Sequence, residues 1–152
     1  YDNSPYKEDC TPDWGFSCLI EGTKKTILFD TGKDGQILMD NWSKLSSSPE
    51  DVDIVVLSHA HLDHTGGLAS FLKRNNKVVV VVPKPFPDSI CQMILSYGAK
   101  VVWAELSTKI CDWVFTTGTL GQGISEQAIV INTSSGLILI VGCSHPGILN
   151  VI

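Results

Sequence analysis

Short apolar runs, most of them rich in valine and isoleucine, recur along the chain and are separated by glycine, proline, serine and asparagine. Runs of this length and composition predict β-strands. Turn-forming segments at 21–24 and 133–136 each join two of these runs and predict hairpins. The predicted strands, in chain order, are 16–20, 26–30, 53–57, 78–82, 100–103, 113–117, 127–132 and 137–141.

Apolar residues with helical spacing occur between some of these strands. Positions 37, 38, 42 and 45 follow the helical period, so we expect a helix over 36–45. The sequence also predicts helices over 68–73 and 88–97, the second with Gly98 as its C-cap, and the start of a helix after residue 147. Strands joined both by hairpins and by helices predict an α/β (α+β) fold, with a mixed sheet that helices cover.

The composition is that of one globular domain over residues 1–152. Of the 152 residues, 43% are hydrophobic and 18% are charged, which excludes disordered and fibrous proteins. The net charge of −5 comes without a cluster of Lys and Arg, so nucleic acid is not an expected partner. No apolar run approaches the ~20 residues of a membrane span, so no membrane association is expected.

Five cysteines are scattered along the chain, and none belongs to a Cys-x-x-Cys pair. This odd and dispersed set argues against a disulfide scaffold and against a thiolate zinc site. Buried or free thiols in a reducing compartment explain it better, so the sequence predicts a cytoplasmic protein. The five are Cys10, Cys18, Cys91, Cys111 and Cys143.

The strongest chemical signal is residues 59–64, which read His-Ala-His-Leu-Asp-His and follow a predicted strand. Neutral imidazoles and carboxylates are ligands of zinc and of other divalent metals. Because side chains two residues apart point the same way on an extended segment, His59 and His61 can converge on one ion. Asp63 and His64 come off the following turn toward a neighbouring position. The sequence therefore predicts one or two divalent ions, zinc first, with iron or manganese as alternatives.

The fourth histidine, His145, follows the last predicted strand within Gly-Cys-Ser-His-Pro-Gly. If the strands before the two histidine loops are parallel or share an edge, His145 completes a three-imidazole set with His59 and His61. Three protein nitrogens with an open water position form the catalytic arrangement of zinc, whereas structural sites have four protein ligands. A lone histidine at a strand end is more often structural, but the cluster at 59–64 favours the ligand interpretation.

Two carboxylates have roles that the sequence leaves open. Asp63 is a candidate catalytic residue that orients the nucleophile and binds a second ion with His64. Its alternative role is the N-cap of the helix that follows, and both roles could coexist. Asp30 ends the predicted strand 26–30. It either forms the next turn through its side chain or anchors the histidine loop and orients the metal ligands.

Residues 59–67, His-Ala-His-Leu-Asp-His-Thr-Gly-Gly, resemble the His-x-His-x-Asp-His motif of the metallo-β-lactamase superfamily. Residues 27–32, Ile-Leu-Phe-Asp-Thr-Gly, are similar to the strand and aspartate that precede that motif in the superfamily. Phrases at 13–17, 125–128 and 142–147 resemble the branch of metal-dependent hydrolases that includes the archaeal dihydropterin–ribofuranosylaminobenzene phosphate synthase of methanopterin biosynthesis. The resemblance covers nearly the whole chain.

The resemblance implies an αββα sandwich with the metals at one sheet edge. It implies hydrolysis of a phosphoester or related bond in a small-molecule substrate by a metal-activated hydroxide. Two alternatives stay open, namely a synthase (transferase) reaction of the methanopterin type and a metal-binding fragment without turnover. Glu126 and Gln127 match a branch phrase, but the sequence gives them no role beyond opening a strand. The implied site residues are His59, His61 and His145 for the first ion and Asp63 and His64 for the second. Asp30 is implied as the residue that orients these ligands without binding an ion.

The chain departs from the superfamily pattern in its C-terminal part. Members place further metal ligands, including a last histidine, downstream of the residue that His145 matches. This chain has no histidine after His145 and no acidic residue after Glu126. We therefore expect a C-terminally incomplete fold whose second metal site lacks ligands. A homo-oligomer or a complementing C-terminal segment would then supply them, and exposed sheet surface is expected.

Overall fold

The computed structural model describes residues 1–152 and contains two β-sheets. In the first sheet, neighbouring strands are parallel except for β1, which pairs antiparallel with β2. The second sheet is an antiparallel meander in chain order. The first sheet consists, in order, of β1 (Cys18–Ile20), β2 (Ile27–Phe29), β3 (Ile54–Val56), β4 (Val79–Pro83) and β5 (Lys100–Ala104). The second consists of β6 (Leu106–Cys111), β7 (Val114–Gly118), β8 (Ile129–Thr133) and β9 (Gly136–Ile140).

Five α-helices and one 3₁₀ turn, Pro49–Asp51, connect or flank the strands. The side chain of Asp34 accepts hydrogen bonds from two backbone N–H groups of the first helix and so forms its N-cap. Gly98 follows the fourth helix with a φ of 90°, a conformation that suits glycine at a helix end. None of the helices is both long and apolar enough to cross a membrane. The helices are α1 (Gly35–Trp42), α2 (Leu62–Thr65), α3 (Leu68–Arg74), α4 (Asp88–Ser96) and α5 (Ile148–Val151).

The central strands β2, β3 and β4 of the first sheet are buried on both faces, and alternate residues face different neighbours. Leu28 and Val55 belong to the larger hydrophobic cluster, together with residues of α1, α3 and α4. Phe29 and Val56, one position further along, belong to a second cluster with residues of β7 and β8. The order of layers is therefore helices, first sheet, second sheet. On the other face of the second sheet, Leu137 is 72% exposed.

The predicted α/β architecture with a mixed sheet is confirmed, as are both hairpins, but the sequence missed one strand. β6 reads Leu-Ser-Thr-Lys-Ile-Cys and is largely exposed, so it has neither a continuous apolar run nor clear alternation. It forms through its backbone hydrogen bonds with β7. The sequence also missed the short helix α2 inside the histidine segment, where glycine and histidine dominate the pattern.

Candidate metal centre

Gln127 joins the two sheets where the two histidine loops meet. β3 and β9 lie in different sheets, so the two histidine loops do not meet through pairing of the strands that precede them. Instead, the amide Nε2 of Gln127 donates to the carbonyls of Leu57, at 2.8 Å, and Val81, at 3.1 Å. Its Oε1 accepts from Thr116 at 2.6 Å, and its backbone N–H donates to Ser58 at 2.9 Å. Gln127, which lies just before β8, thereby fixes the second sheet against the ends of β3 and β4.

The structure brings His59, His61 and His145 together. Nε2 of His59 lies 3.1 Å from Nδ1 of His61 and 3.3 Å from Nε2 of His145. His59 is buried, whereas the other two are exposed, so the cluster opens to solvent on one side. Three imidazole nitrogens that face one another across these distances are a donor set that fits a divalent ion with an open position.

The buried position of His59 favours its neutral form. Burial lowers the pKa of His59 to about 3, and the neighbouring His64, His61 and His145 act in the same direction. Since an imidazole must be neutral to bind a metal, His59 is ready to act as a ligand at neutral pH.

Asp30 lies at the end of β2 and is completely buried. Its carboxylate accepts hydrogen bonds from the backbone N–H and the hydroxyl of Ser58, both at 2.6 Å, and from Nδ1 of His64 at 2.7 Å. None of these partners belongs to the turn that follows β2, so the side chain anchors the histidine loop rather than forming its own turn. The backbone of Asp30 has a φ of 59°, a left-handed conformation that costs about 1–3 kcal/mol.

Asp30 and His64 form a buried pair. Burial raises the pKa of Asp30, and the hydrogen bonds from His64 and Ser58 oppose that rise. For His64, burial lowers the pKa, but the hydrogen bond and the charge of Asp30 outweigh it, so the net pKa is raised. Because the carboxylate accepts three hydrogen bonds, we place the negative charge on Asp30 and the proton on Nδ1 of His64.

These hydrogen bonds also determine which ring nitrogens carry protons. Nδ1 of His59 lies 2.9 Å from the hydroxyl of Ser58, which itself donates to Asp30. The hydroxyl can then only accept from His59, so Nδ1 of His59 carries the proton. Nε2 of His59 is left with its lone pair directed at His61 and His145. The Ser58–Asp30 pair thus orients a ring for metal binding, as outer hydrogen-bond partners do in metalloproteins.

A second group of donors lies around Nε2 of His64. This nitrogen is 3.1 Å from Sγ of Cys143 and 3.5 Å from a carboxylate oxygen of Asp63. Asp63, His64 and Cys143 therefore place three possible donors around this nitrogen. The alternative role of Asp63 is wrong, because α2 begins after His61 and α3 after Gly67, so the Asp63 side chain caps neither helix.

Cys143 is the site residue that the sequence analysis missed. The dispersed cysteine pattern indicates only a free or buried thiol, and the one local signal is its place two residues before His145. Partial burial raises the pKa of the Cys143 thiol, and the negative charges of Asp63, Glu126 and Asp30 raise it further. The same charges favour a cation in this position.

Glu126 holds the loop that carries Cys143 and His145. Its side chain is buried, at 3% exposure. One carboxylate oxygen accepts from the backbone N–H of Ser144 at 2.8 Å, and the other accepts from that of His145 at 2.7 Å. Ser144 has a φ of 59°, so the loop makes a tight left-handed bend at this point. The sequence gave Glu126 no role, because nothing in its own segment shows which distant backbone it binds.

Two glycines allow the loops to approach the rest of the site. A Cβ atom on Gly67 would lie 2.1 Å from the carbonyl oxygen of Thr31. A Cβ atom on Gly142 would lie 2.4 Å from the hydroxyl of Ser58 and 3.0 Å from Glu126. Glycine at 142 therefore lets the second loop lie directly against the residue that orients His59.

A groove of about 640 Å³ lies beside His145 and opens to solvent. Residues 120–124 form one wall, and Pro146 and Asn150 form the other. A groove of this volume accommodates a small molecule next to the exposed side of the three histidines.

Solved structures of similar fold include a quorum-quenching N-acyl homoserine lactone lactonase, with a TM-score of 0.66 and 20% identity over 91% of this chain and 67% of that one. The short form of human tRNase Z has a TM-score of 0.61 and 15% identity over 90% of this chain and 66% of its own.

Among curated proteins, 7,8-dihydropterin-6-methyl-4-(β-D-ribofuranosyl)-aminobenzene-5′-phosphate synthase of Methanocaldococcus jannaschii is 28% identical over 93% of this chain. A second, uncharacterised protein of the same organism is 30% identical over 99% of this chain. The chain spans 66% and 70% of the lengths of these two relatives. Residues 11–143 match the profile of the metallo-β-lactamase superfamily, and the chain belongs to that superfamily.

Proposed function

We propose that this chain carries the metal centre of a hydrolase that uses one or two divalent ions, with zinc as the first candidate. The observation that supports the proposal most is that His61 Nδ1 and His145 Nε2 both lie within 3.3 Å of His59 Nε2, so three imidazole nitrogens meet. Iron and manganese are the alternatives, because imidazole and carboxylate ligands also accept them.

The protein residues have distinct roles in this proposal. His59, His61 and His145 would hold a divalent ion, which would lower the pKa of a bound water from 15.7 to about 7 and so would supply a nucleophile at neutral pH. Asp63, whose side chain is 21% exposed, would accept a hydrogen bond from that nucleophile and orient it. Asp30 and Ser58 hold the ring of His59 in the protonation state that metal binding requires.

We propose a small phosphoester as the substrate. Relatives that share 28–34% identity with parts of this chain include proteins named as a phosphate-containing pterin synthase, an exodeoxyribonuclease and a probable RNase. The net charge of −5 argues against a nucleic acid for this chain, and the groove beside His145 is of small-molecule size. The five free cysteines agree with a cytoplasmic location.

Metal content and turnover of the His61→Ala variant test the proposal. His61 is an exposed ligand candidate, so its replacement leaves the core intact while removing one of three donors. The purified chain, loaded with zinc, should cleave an activated phosphodiester faster than a lactone or a thioester. His61→Ala should lose both stoichiometric metal and that activity. Stoichiometric metal in this variant would overturn the ligand assignment.

A pterin-pathway synthase reaction is the second candidate function. The 28% identity with the archaeal synthase over 93% of this chain favours it. If the chain formed the pterin–aminobenzene conjugate that the name of that synthase contains, and did not cleave phosphodiesters, its activity would be that of a transferase and not of a hydrolase. A chain that binds metal but turns over neither substrate would be a fragment that needs a second copy or a complementing segment. The mass of the chain in solution, measured with and without metal, would show whether a second copy associates with it.

A further inference from the structure

We propose that the free edge of β9 is an interface through which two copies of this chain associate, by antiparallel pairing of β9 with β9 of the second copy. β9 forms one edge of the second sheet and pairs only with β8. The inference is independent of the proposed function, because it requires neither a metal ion nor turnover.

The two edge strands of the second sheet, β6 and β9, differ in how they are protected. β6 carries Lys109 and a shift of register between Lys109 and Cys111. A charged side chain and a bulge are devices that keep an edge strand from pairing with another molecule. β9 reads Gly-Leu-Ile-Leu-Ile, without a charge or a proline, and its register with β8 is regular. A flat apolar edge of this kind is a template for a further strand.

The hydrogen bonds of β8 show which backbone groups of β9 are free. The N–H of Asn132 donates, at 2.8 Å, to the carbonyl that directly precedes β7, so Asn132 directs its backbone groups away from β9. Because this direction alternates along antiparallel strands, Ile131 directs its own groups toward β9, where Ile138 is its partner. Leu137 and Leu139 then direct their N–H and C=O groups away from β8, and neither residue has a backbone hydrogen bond beyond its sheet.

The side chains of β9 extend an apolar row on the outer face of the second sheet. Leu139 lies opposite Val130 in β8, and Val130 lies opposite Phe115 in β7. When two identical antiparallel strands meet about a two-fold axis at Ile138, Leu137 of each copy lies opposite Leu139 of the other, on the same face. The apolar row then continues from one copy into the next, and the exposed leucines of β9 leave water.

The distribution of charge favours a second copy as the occupant of this edge. The chain has a net charge of −5, so two copies repel each other over most of their surfaces. Residues 127–152, which include β8, β9 and the loop after them, contain no Asp, Glu, Lys or Arg. Two copies that meet at β9 therefore approach through a region without like charges. A partner selected by its charge would find no charged side chain on this strand.

Amide hydrogen exchange of the wild-type chain over a series of concentrations tests the inference without any substitution. The N–H groups of Leu137 and Leu139 are free in one copy and bonded in the pair, so their exchange should slow several-fold as the concentration rises. The N–H groups of Ile138 and Ile140 face β8 in both states and are the internal control. Sedimentation velocity over the same series should show the mass doubling, with and without added zinc.

Substitutions at the two edges distinguish this interface from non-specific association. Leu137→Lys places a charge on the β9 edge and should reduce the mass to that of one chain. Leu106→Lys is the matched control and should leave the pair intact, because Leu106 is 77% exposed on the opposite edge strand. Leu137→Val should also leave the pair intact, since valine keeps an apolar, strand-favouring side chain at this position.

Each contrary outcome has a definite meaning. A wild-type chain that keeps the mass of one copy, with fast exchange at Leu137 and Leu139 at every concentration, overturns the inference and leaves the metal centre as described. A pair that survives Leu137→Lys, or that Leu106→Lys abolishes equally, also overturns it. Assemblies larger than two copies overturn the closed two-fold pairing. A chain that pairs but neither binds metal nor turns over substrate would contradict only the proposed function.

Discussion

The two loops that meet at the metal centre, residues 58–67 and 142–147, are held in opposite ways. In the first loop, His59 and His64 are 0% and 2% exposed and are bound through their rings to Ser58 and Asp30. In the second loop, Cys143 and His145 are exposed, and the anchor is one carboxylate that binds two backbone N–H groups. The first loop is fixed at its side chains, and the second only at its backbone.

This difference indicates which part of the site folding prepares and which part the metal completes. The buried histidines of the first loop, His59 and His64, are oriented by hydrogen bonds that exist before any ion arrives. Side chains of the second loop keep their rotamer freedom until an ion orders them, so metal binding must offset that loss. The second loop also borders the groove beside His145, so the adjustable half of the centre is the half that faces this groove.

The largest effect is expected from Asp30→Ala, which removes the anchor of the first loop. Without the Asp30 carboxylate, the hydroxyl of Ser58 and the ring of His64 stay buried but lose their hydrogen-bond acceptor. This loss lowers the free energy of unfolding by about 3–5 kcal/mol. Urea denaturation of the metal-free protein measures it. Asp53→Ala is the control. The carboxylate of Asp53, just before β3, accepts a hydrogen bond from the backbone N–H of Thr26, just before β2, but the Asp53 side chain is 37% exposed. Equal losses in the two variants would contradict the special role of the Asp30 network.

The next effect is a pH dependence that arises from the buried His59 of the first loop. The pKa of His59 is about 3 in the folded chain and about 6.5 when unfolded. Between these values the unfolded chain binds the extra proton, so stability is full above pH 6.5 and falls with decreasing pH by about 1.4 kcal/mol per unit. The raised pKa of His64 acts with the opposite sign, and only above pH 6.5.

Comparison with His59→Asn isolates this contribution, since the variant keeps Asp30 and His64. The metal-free wild type should lose about 2 kcal/mol more than His59→Asn between pH 6.5 and pH 5. Parallel pH profiles for the two proteins would show that His59 is not buried as described.

The sequence predicted the elements whose patterns are local. Buried strands such as β4 have a continuous β-branched run, and the histidine motif concentrates its donors within a few residues. β6 could not be predicted, because an exposed strand at a sheet edge leaves no hydrophobic pattern and depends on its partner. The meeting of the two loops could not be predicted from their own strands either, since β3 and β9 belong to different sheets.

The unpredicted part of the site consists of long-range contacts. Gln127 and Glu126 are adjacent polar residues at the start of a strand, where a sequence suggests only a solvated end. In the folded chain, both are buried, and each binds a backbone from another part of the molecule. Cys143 became a candidate ligand only when its distance to His64, 79 positions away, was known.

The most specific of the three expected effects belongs to Glu126→Gln. The amide offers one acceptor where the carboxylate offers two, and its NH₂ group faces a backbone N–H. The two charge-assisted hydrogen bonds to Ser144 and His145 are therefore weakened, which costs about 1.5–3 kcal/mol. Affinity for the first ion should fall about 10–100-fold, as for other outer partners of metal ligands.

Glu105→Gln is the control, because the Glu105 side chain is 66% exposed and pairs only with Lys84. If Glu126→Gln destabilises the chain but binds zinc as tightly as the control in a competitive chelator titration, Glu126 supports the fold without positioning His145. Loss of zinc affinity beyond the control would show that the backbone anchor of the second loop positions its ligand, as the ring anchors do in the first.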